Sequence, residues 1–368
     1  MDIYSKKPVE YWRHFQMRAT VVLSHEDSNA IAATEEYGGI LLAALRKQAG
    51  IHGTASGRGK KLKQFIRSII IAPPRNILFT SYWTHSAFGE MDTGNTFSKT
   101  ILNNYNQDSV EMSYADLFLY TSSIPSNEHI YAANMHERDL YYYNLSQSVN
   151  VIEKLLLEQC QWSTDVYSIV DNKKQRLNTL LIVSPPAAGK NFFLDAVVHS
   201  CISFGQIGNF NKHTSFNMQE AVQKRIILWN EPNYEPEKEE ESKLLLGGDS
   251  MNIKVKHTAD ANLRRTPIIV LSNREVIPSH GAFASRIKKY TWSSQHWLRH
   301  FNKKPIPSAV FYLFLKYKIF NIFDIEYTEE GQHSPNWIIQ SGFFALTGNH
   351  PGENIPQVET SRKGCSYR

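Results

Sequence analysis

The chain has 368 residues, of which 42 % are hydrophobic, and 40 Lys+Arg against 35 Asp+Glu leave a formal net charge of +5. That apolar share supports a sizeable core and excludes a wholly disordered chain, and no run of roughly 18 apolar residues offers a membrane span. The length predicts two domains, and the modest charge confines any contact with nucleic acid to local patches.

Along the chain, Met1 to Ala19 lacks the apolar region of a secretory signal. Cys160, Cys201 and Cys365 are scattered and odd in number, which fits reduced intracellular thiols better than disulfides or a zinc site. Residues 34–49 place Tyr37, Ile40, Leu41, Ala44 and Leu45 at helical spacing. Arg58-Gly59-Lys60-Lys61-Leu62-Lys63, followed by Arg67, is a basic cluster. It reads as a nuclear-entry signal, as a phosphate contact or as a solvated helix face. Ser68 to Ile71 and Asn76 to Thr80 are strand-like runs. Residues 146–159 return to helical spacing through Val149, Ile152, Leu155 and Leu156. Lys173 to Arg176 is a polar loop into the first core strand.

That strand opens the most informative segment. Leu180 to Val183 is apolar, Ser184-Pro185-Pro186-Ala187-Ala188 is small and turn-forming, and Gly189-Lys190-Asn191 opens an amphipathic stretch, Phe192 to Ile202. Strand, loop and helix in that order place Gly189-Lys190 where a phosphate-binding loop needs them. Backbone N–H groups of such a loop wrap phosphates, and the helix N-terminus adds its positive dipole end. Ser184 stands where the usual pattern has glycine, and Asn191 stands where it has a magnesium-ligating Ser or Thr; an amide carbonyl is also a hard oxygen donor. Arg225 to Pro232 is a buried-strand run ending in Asn230-Glu231. An acid at the end of a strand adjacent to the phosphate loop holds Mg²⁺ or polarises the attacking water, while Asn230 can orient but not act as base. The run Glu235 to Glu241 reads as a solvated acidic loop. In Gly247 to His257, Lys254 and Lys256 alternate with Ile253 and Val255, which on a strand puts both ammonium groups on one face. Such a hairpin suits a phosphodiester backbone, or else is a basic edge strand guarded against aggregation. Pro267 to Asn273 is a third strand whose terminal Asn273 either meets a γ-phosphate or forms a turn, and Arg286 follows it.

Taken together, Leu180 to Tyr290 resembles the superfamily 3 helicase domain of parvoviral non-structural initiator proteins, those of arthropod densoviruses above all. Ser184-Pro-Pro-Ala-Ala-Gly-Lys-Asn-Phe-Phe193, Leu228-Trp-Asn-Glu-Pro-Asn233, Gly247-Gly-Asp-Ser250 with Lys254-Val-Lys-His257, and Arg265-Thr-Pro-Ile-Ile-Val-Leu-Ser-Asn273 carry the likeness. It implies an α/β fold: an AAA+-like superfamily 3 helicase core with a parallel central sheet, preceded by a small helical region and a divergent N-terminal α+β region. It implies that Ser184 to Asn191 bind ATP, with Asn191 and Glu231 at Mg²⁺. Lys190, Glu231, Asn230, Asn273 and Arg286 would be the catalytic set: Glu231 activates water, Asn273 senses the γ-phosphate and Arg286 enters the next subunit's site. Lys254 and Lys256, assisted by His257, would grip single-stranded DNA in the channel of a homo-oligomeric ring, usually a hexamer, moving 3′ to 5′. The implied setting is viral DNA replication in the host nucleus with host replication proteins, away from membranes.

The domain boundaries expected are 1–105 for the divergent region, 106–176 for the helical, assembly-related region, 177–330 for the ATPase core and 331–368 for a partly disordered tail, with Ile306 to Phe323 as a helix packed on the core. Initiators of this family carry a nicking nuclease whose site needs two histidines separated by one apolar residue, with a tyrosine nucleophile. His14, His25, His52 and His85 form no such pair, and Tyr82 and Tyr105 have no such partner. The expectation is therefore an absent or degenerate nuclease. The competing expectation is a truncated or host-captured viral copy that binds DNA or assembles with little ATPase activity.

Overall fold

The basic cluster folds as a helix. Gly57–Arg67 (α1) turns Leu62 and Ile66 inward and leaves Lys60, Lys61 and Lys63 exposed. The computed structural model describes residues 57–319 except 92–95, 135–136, 160–162, 211–214, 234 and 279–280. The helix expected over 34–49, the tail 331–368, His14, His25, His52, Cys160 and Cys365 lie outside the described residues. Of the two strand-like runs, only Ile70–Ile71 (β1) is a strand. The second is a 3-10 helix, Pro74–Phe79, with proline in its first turn. Proline locks φ near the helical value and removes an N–H the ladder would need, so local chemistry overrides the β-branched pattern.

Thr96–Glu111 (α2) and Tyr114–Ser122 (α3) follow. Ser113 and Asp116 form a capping box that starts α3. His129–Tyr131 (β2) pairs in parallel with β1. The helix read from residues 146–159 is Leu145–Glu158 (α4), capped by Asn144, and Ser163–Val170 (α5) comes next. Tyr105 is buried with its hydroxyl 3.0 Å from that of Tyr120, and Tyr82 stacks on Phe65 with ring centroids 5.2 Å apart. Both tyrosines thus serve this upstream packing.

The core is one parallel sheet. Thr179–Val183 (β3), Phe204–Gln206 (β4), Ile226–Asn230 (β5), Ile268–Ser272 (β8) and Ile287–Thr291 (β9) lie in the order β4-β5-β8-β3-β9. Two short strands, Met251–Ile253 (β6) and Ala261–Leu263 (β7), form a separate antiparallel hairpin between β5 and β8. Every residue of β3 and β8 is buried, because helices cover both faces and side chains alternate between them. Leu180, Ile182, Ile226, Leu228, Ile269 and Leu271 face one core. It also holds α1 to α5, Lys190–Ser200 (α6) and Ala309–Lys316 (α8). Leu181, Val183, Ile227, Trp229, Ile268 and Val270 face the other, which is closed by Glu239–Gly247 (α7). The acidic run is therefore not a loop: Glu239, Glu240 and Glu241 form the first turn of α7, where carboxylates favour the positive end of the helix dipole. The described residues all fall in one compact unit, Leu42–Tyr327, and none of their helices is long and apolar enough to cross a membrane.

A buried ion pair joins the upstream helices to the sheet. Arg225, just before β5, donates to Asp171 at 2.9 Å, and the same carboxylate oxygen accepts from the Tyr114 backbone N–H at 2.8 Å. Arg225 also donates to the Met112 carbonyl at the start of α3.

Two buried histidines set an acid limit. Burial pushes His129 and His199 down from 6.5 to about 4. Hydrogen bonding of the His129 ring nitrogen to the Thr121 and Ile124 carbonyls only partly opposes this. Because the unfolded state takes up these protons first, stability is full above about pH 6.5 and falls toward about pH 4. Each histidine contributes a loss of about 1.4 kcal/mol per pH unit inside that window. Denaturant melts at pH 7.5 and 5 should show the loss, and His129→Gln should reduce its slope; an unchanged slope would mean that His129 is protonated in the fold.

Candidate functional site at the carboxyl end of the sheet

The loop after β3 has the backbone of an anion cradle. Ala187 and Gly189 take positive φ, +60° and +86°, and alternation of left- and right-handed residues is what turns successive N–H groups to one side. Gly189 is required twice over: a Cβ there would lie 2.6 Å from Leu298 Cδ1 and 2.9 Å from Leu155 Cδ2. It caps α6, whose first residue is Lys190. Ser184 is buried, with its backbone N–H on the Ser272 carbonyl at 3.0 Å and its hydroxyl on the Pro185 carbonyl at 3.0 Å. Pro185, Pro186 and Ala187 are exposed, Ala188 is buried, and Asn191 is half-buried in the first turn of α6.

Lys190 is 7 % exposed and points across the strand ends. Its Nζ donates to Glu231 Oε1 at 2.8 Å and to Asn273 Oδ1 at 2.6 Å. The Asn273 backbone N–H donates to Glu231 Oε2 at 3.1 Å, and the Glu231 N–H donates to the Leu271 carbonyl at 2.7 Å. Three residues, one opening α6 and two just past the ends of β5 and β8, thus form one closed network. Glu231 has φ +49°, a conformation costing a non-glycine residue about 1 kcal/mol, and such strain collects at functional positions. Its side chain stays 45 % exposed and open to solvent. Beside it, Asn230 Oδ1 is buried without a hydrogen-bond partner among the described residues. An orphaned carbonyl oxygen next to a carboxylate suits a hard cation or ordered water. No group of three or more His, Cys, Asp or Glu side chains among the described residues could hold a metal, whereas Mg²⁺ held on phosphates needs only one or two carboxylates.

Strand order corrects one detail. The acid strand is not adjacent to the loop strand, because β8 lies between β3 and β5. Asn273 therefore sits next to the loop, and Glu231 reaches Lys190 past it.

The other predicted residues lie elsewhere. The Arg286 carbonyl accepts from the Asn178 and Thr179 N–H groups at 3.1 Å each, so Arg286 stands at the amino end of β3 and β9. Five strand residues separate that edge from the loop, a span of about 17 Å. There its guanidinium contacts the Ala282 carbonyl at 2.6 Å and Asp249 at 3.6 Å. Asp249 is at the foot of the β6–β7 hairpin. Lys254, Lys256 and His257 are exposed, but β6 ends at Ile253. The two lysines occupy the loop at the hairpin tip rather than one face of a strand, and His257 takes φ +62°.

Sequence reasoning missed the residues that hold the loop from behind. Gln159, the buried C-cap of α4, donates from Nε2 to the carbonyls of Ala188 at 3.0 Å and Ser293 at 2.7 Å, and accepts from the Ser293 N–H at 2.9 Å. The Gln295 N–H donates to the Ala187 carbonyl at 2.9 Å, and the Ser294 hydroxyl to the Pro186 carbonyl at 3.2 Å. None belongs to a motif; only the long-range packing of residues 292–298 brings them there.

The fold is α/β, a parallel sheet flanked by helices, with a lysine-bearing turn after one strand and an acid and an amide converging on that lysine. Residues 149–281 match the family model described as parvovirus non-structural protein NS1. The chain is 41 % identical over 187 residues to the initiator protein NS1 of Junonia coenia densovirus, covering 48 % of this chain and 34 % of that protein. It is 36 % identical over 192 residues to the Bombyx mori densovirus initiator protein NS1, covering 48 % of this chain and 22 % of the relative. Protein Rep52 of adeno-associated virus 2 is 30 % identical over 96 residues, 26 % of this chain and 24 % of that protein. The chain thus spans about a third of the first of these relatives. A solved JCV helicase aligns over 86 % of this chain and 96 % of its own at 10 % identity, with a TM-score of only 0.46.

Proposed function

We propose that this chain hydrolyses ATP to drive a DNA helicase, as the motor portion of a viral replication initiator. The observation that carries this reading is the Lys190–Glu231–Asn273 network, built from three distant segments at the mouth of an anion cradle. The names of the relatives, initiator proteins NS1, support the replication setting. The loop N–H groups and the Lys190 ammonium bind the phosphates. In the geometry seen here, the Lys190 ammonium neutralises Glu231 and holds Asn273. A γ-phosphate is the stronger partner for Lys190. Its arrival would free the Glu231 carboxylate to take a proton from the attacking water and leave Asn273 to hydrogen-bond the phosphate. Asn191 and Glu231, with the Asn230 carbonyl oxygen, would hold Mg²⁺, which supplies charge neutralisation when bound.

Arg286 cannot serve its own Lys190 from the opposite edge of the sheet, so its proposed role is at a neighbour's phosphate in a ring, with a hexamer as the working stoichiometry. The exposed hairpin lysines would track single-stranded DNA, 3′ to 5′, in the host nucleus and alongside host replication proteins. The test is phosphate release with and without single-stranded DNA at matched protein concentration. DNA-stimulated turnover supports a motor; no turnover with DNA binding intact favours a non-catalytic binding module. Lys254→Ala with Lys256→Ala should weaken single-stranded DNA binding and lower its log–log salt slope by about one to two. An unchanged slope returns both lysines to a solvated turn. Arg286→Ala should lower turnover only at concentrations where the chain assembles, as read by turnover against dilution. Equal loss in dilute monomer would assign it a role within its own subunit.

A further inference from the structure

The phosphate loop is held by its carbonyls. A peptide unit is planar and trans, so its C=O and N–H point to opposite sides. The three consecutive carbonyls of Pro186, Ala187 and Ala188 are each taken from the outside, by the Ser294 hydroxyl, the Gln295 N–H and the Gln159 amide. The N–H groups of Ala187, Ala188 and Gly189 are therefore turned to the other side, the one an anion would occupy. Gln159 dominates this brace. It is buried, both its amide hydrogens are used, and its carbonyl oxygen is used as well. It also clamps the loop to the segment after β9 through Ser293. Neighbouring contacts keep α4 against that segment: the Trp297 indole N–H donates to Glu158, and Lys154 Nζ lies 4.3 Å from the Trp297 ring centroid.

We propose that Gln159 is a positioning residue for phosphate binding, which with Ser294 fixes the inward direction of the loop N–H groups from outside the loop. This rests on the ATPase reading above and adds to it a residue that touches neither nucleotide nor the reacting atoms. Gln159→Leu removes the three hydrogen bonds at similar volume. Gln159→Glu keeps the acceptor for the Ser293 N–H but sets a carboxylate against two carbonyl oxygens. Ser294→Ala removes only the hydroxyl at the Pro186 carbonyl.

The experiment compares ATP binding by calorimetry, ATP turnover and thermal melting for the full chain, the three variants and Lys190→Ala. The expected result is KM and Kd for ATP raised about tenfold in Gln159→Leu and further in Gln159→Glu. Ser294→Ala should raise them a few-fold, and kcat at saturating ATP should stay within about threefold in the Gln159 and Ser294 variants. Unchanged KM and Kd overturn the proposal, as does a fall in kcat and melting temperature with KM unmoved, the mark of a merely structural residue. If neither Gln159 variant folds, Ser294→Ala decides, and wild-type KM there overturns the brace. A wild type that binds ATP without Lys190-dependent turnover overturns the hydrolysis reading alone and leaves the Kd comparison to judge Gln159. A wild type that binds no ATP overturns both.

Discussion

Lys190→Ala is expected to abolish ATP turnover, by about a hundredfold or more, while leaving the fold standing. Its ammonium lies where loop, acid and amide meet, 2.8 Å from Glu231 and 2.6 Å from Asn273. Removing it takes a preorganised cation from the phosphates at the point where negative charge develops. The effect on stability should be small. Glu231 is 45 % exposed, so water replaces the lost partner, and pairs of this kind contribute about 0–1 kcal/mol. Phosphate release and a thermal melt on the same sample separate the two effects. Turnover retained in this variant removes the phosphate-loop assignment.

Glu231→Gln should suppress hydrolysis by about 10²- to 10⁴-fold and keep ATP binding. The amide retains the size of the side chain, keeps one acceptor oxygen for either Lys190 or the Asn273 N–H, and demands no new backbone conformation. What it loses is the basic oxygen that removes a proton from water. The neighbouring Asn230 cannot replace it, because an amide does not accept a proton near neutral pH. A variant that binds ATP as tightly as wild type but releases no phosphate fits Glu231 as base. Turnover near the wild-type rate would place the base elsewhere. Loss of binding and turnover together would mean that Glu231 holds the site in shape.

Much of this site was legible in the chain because its parts are local. Leu180 to Val183 is apolar at every position, as a strand buried on both faces must be. Gly189 supplies a positive φ immediately before the helix starting at Lys190. Asn230-Glu231 and Asn273 each end a short apolar run, which already placed them at strand tips. The weaker readings failed where a local rule met a competing one. Asn76 to Thr80 has strand-like side chains, but Pro73 and Pro74 start a 3-10 turn. Glu235 to Glu241 looked like a solvated loop, yet three of its glutamates open α7. Lys254 and Lys256 alternate as in a strand, but the ladder ends before them.

By itself the sequence determined the existence and type of the core elements, the lysine, acid and amide at their ends, and the likeness to parvoviral initiators, because periodicity, turn chemistry and motif spacing act within a few residues. Only the tertiary structure decided that β8 lies between the loop strand and the acid strand, that Arg286 and the hairpin foot share the opposite edge of the sheet, and that Gln159 grips the loop through Ala188 and Ser293. Strand order and such clamps depend on which distant surfaces bury each other. A side chain whose partners are backbone carbonyls leaves no residue pattern from which those partners could be read.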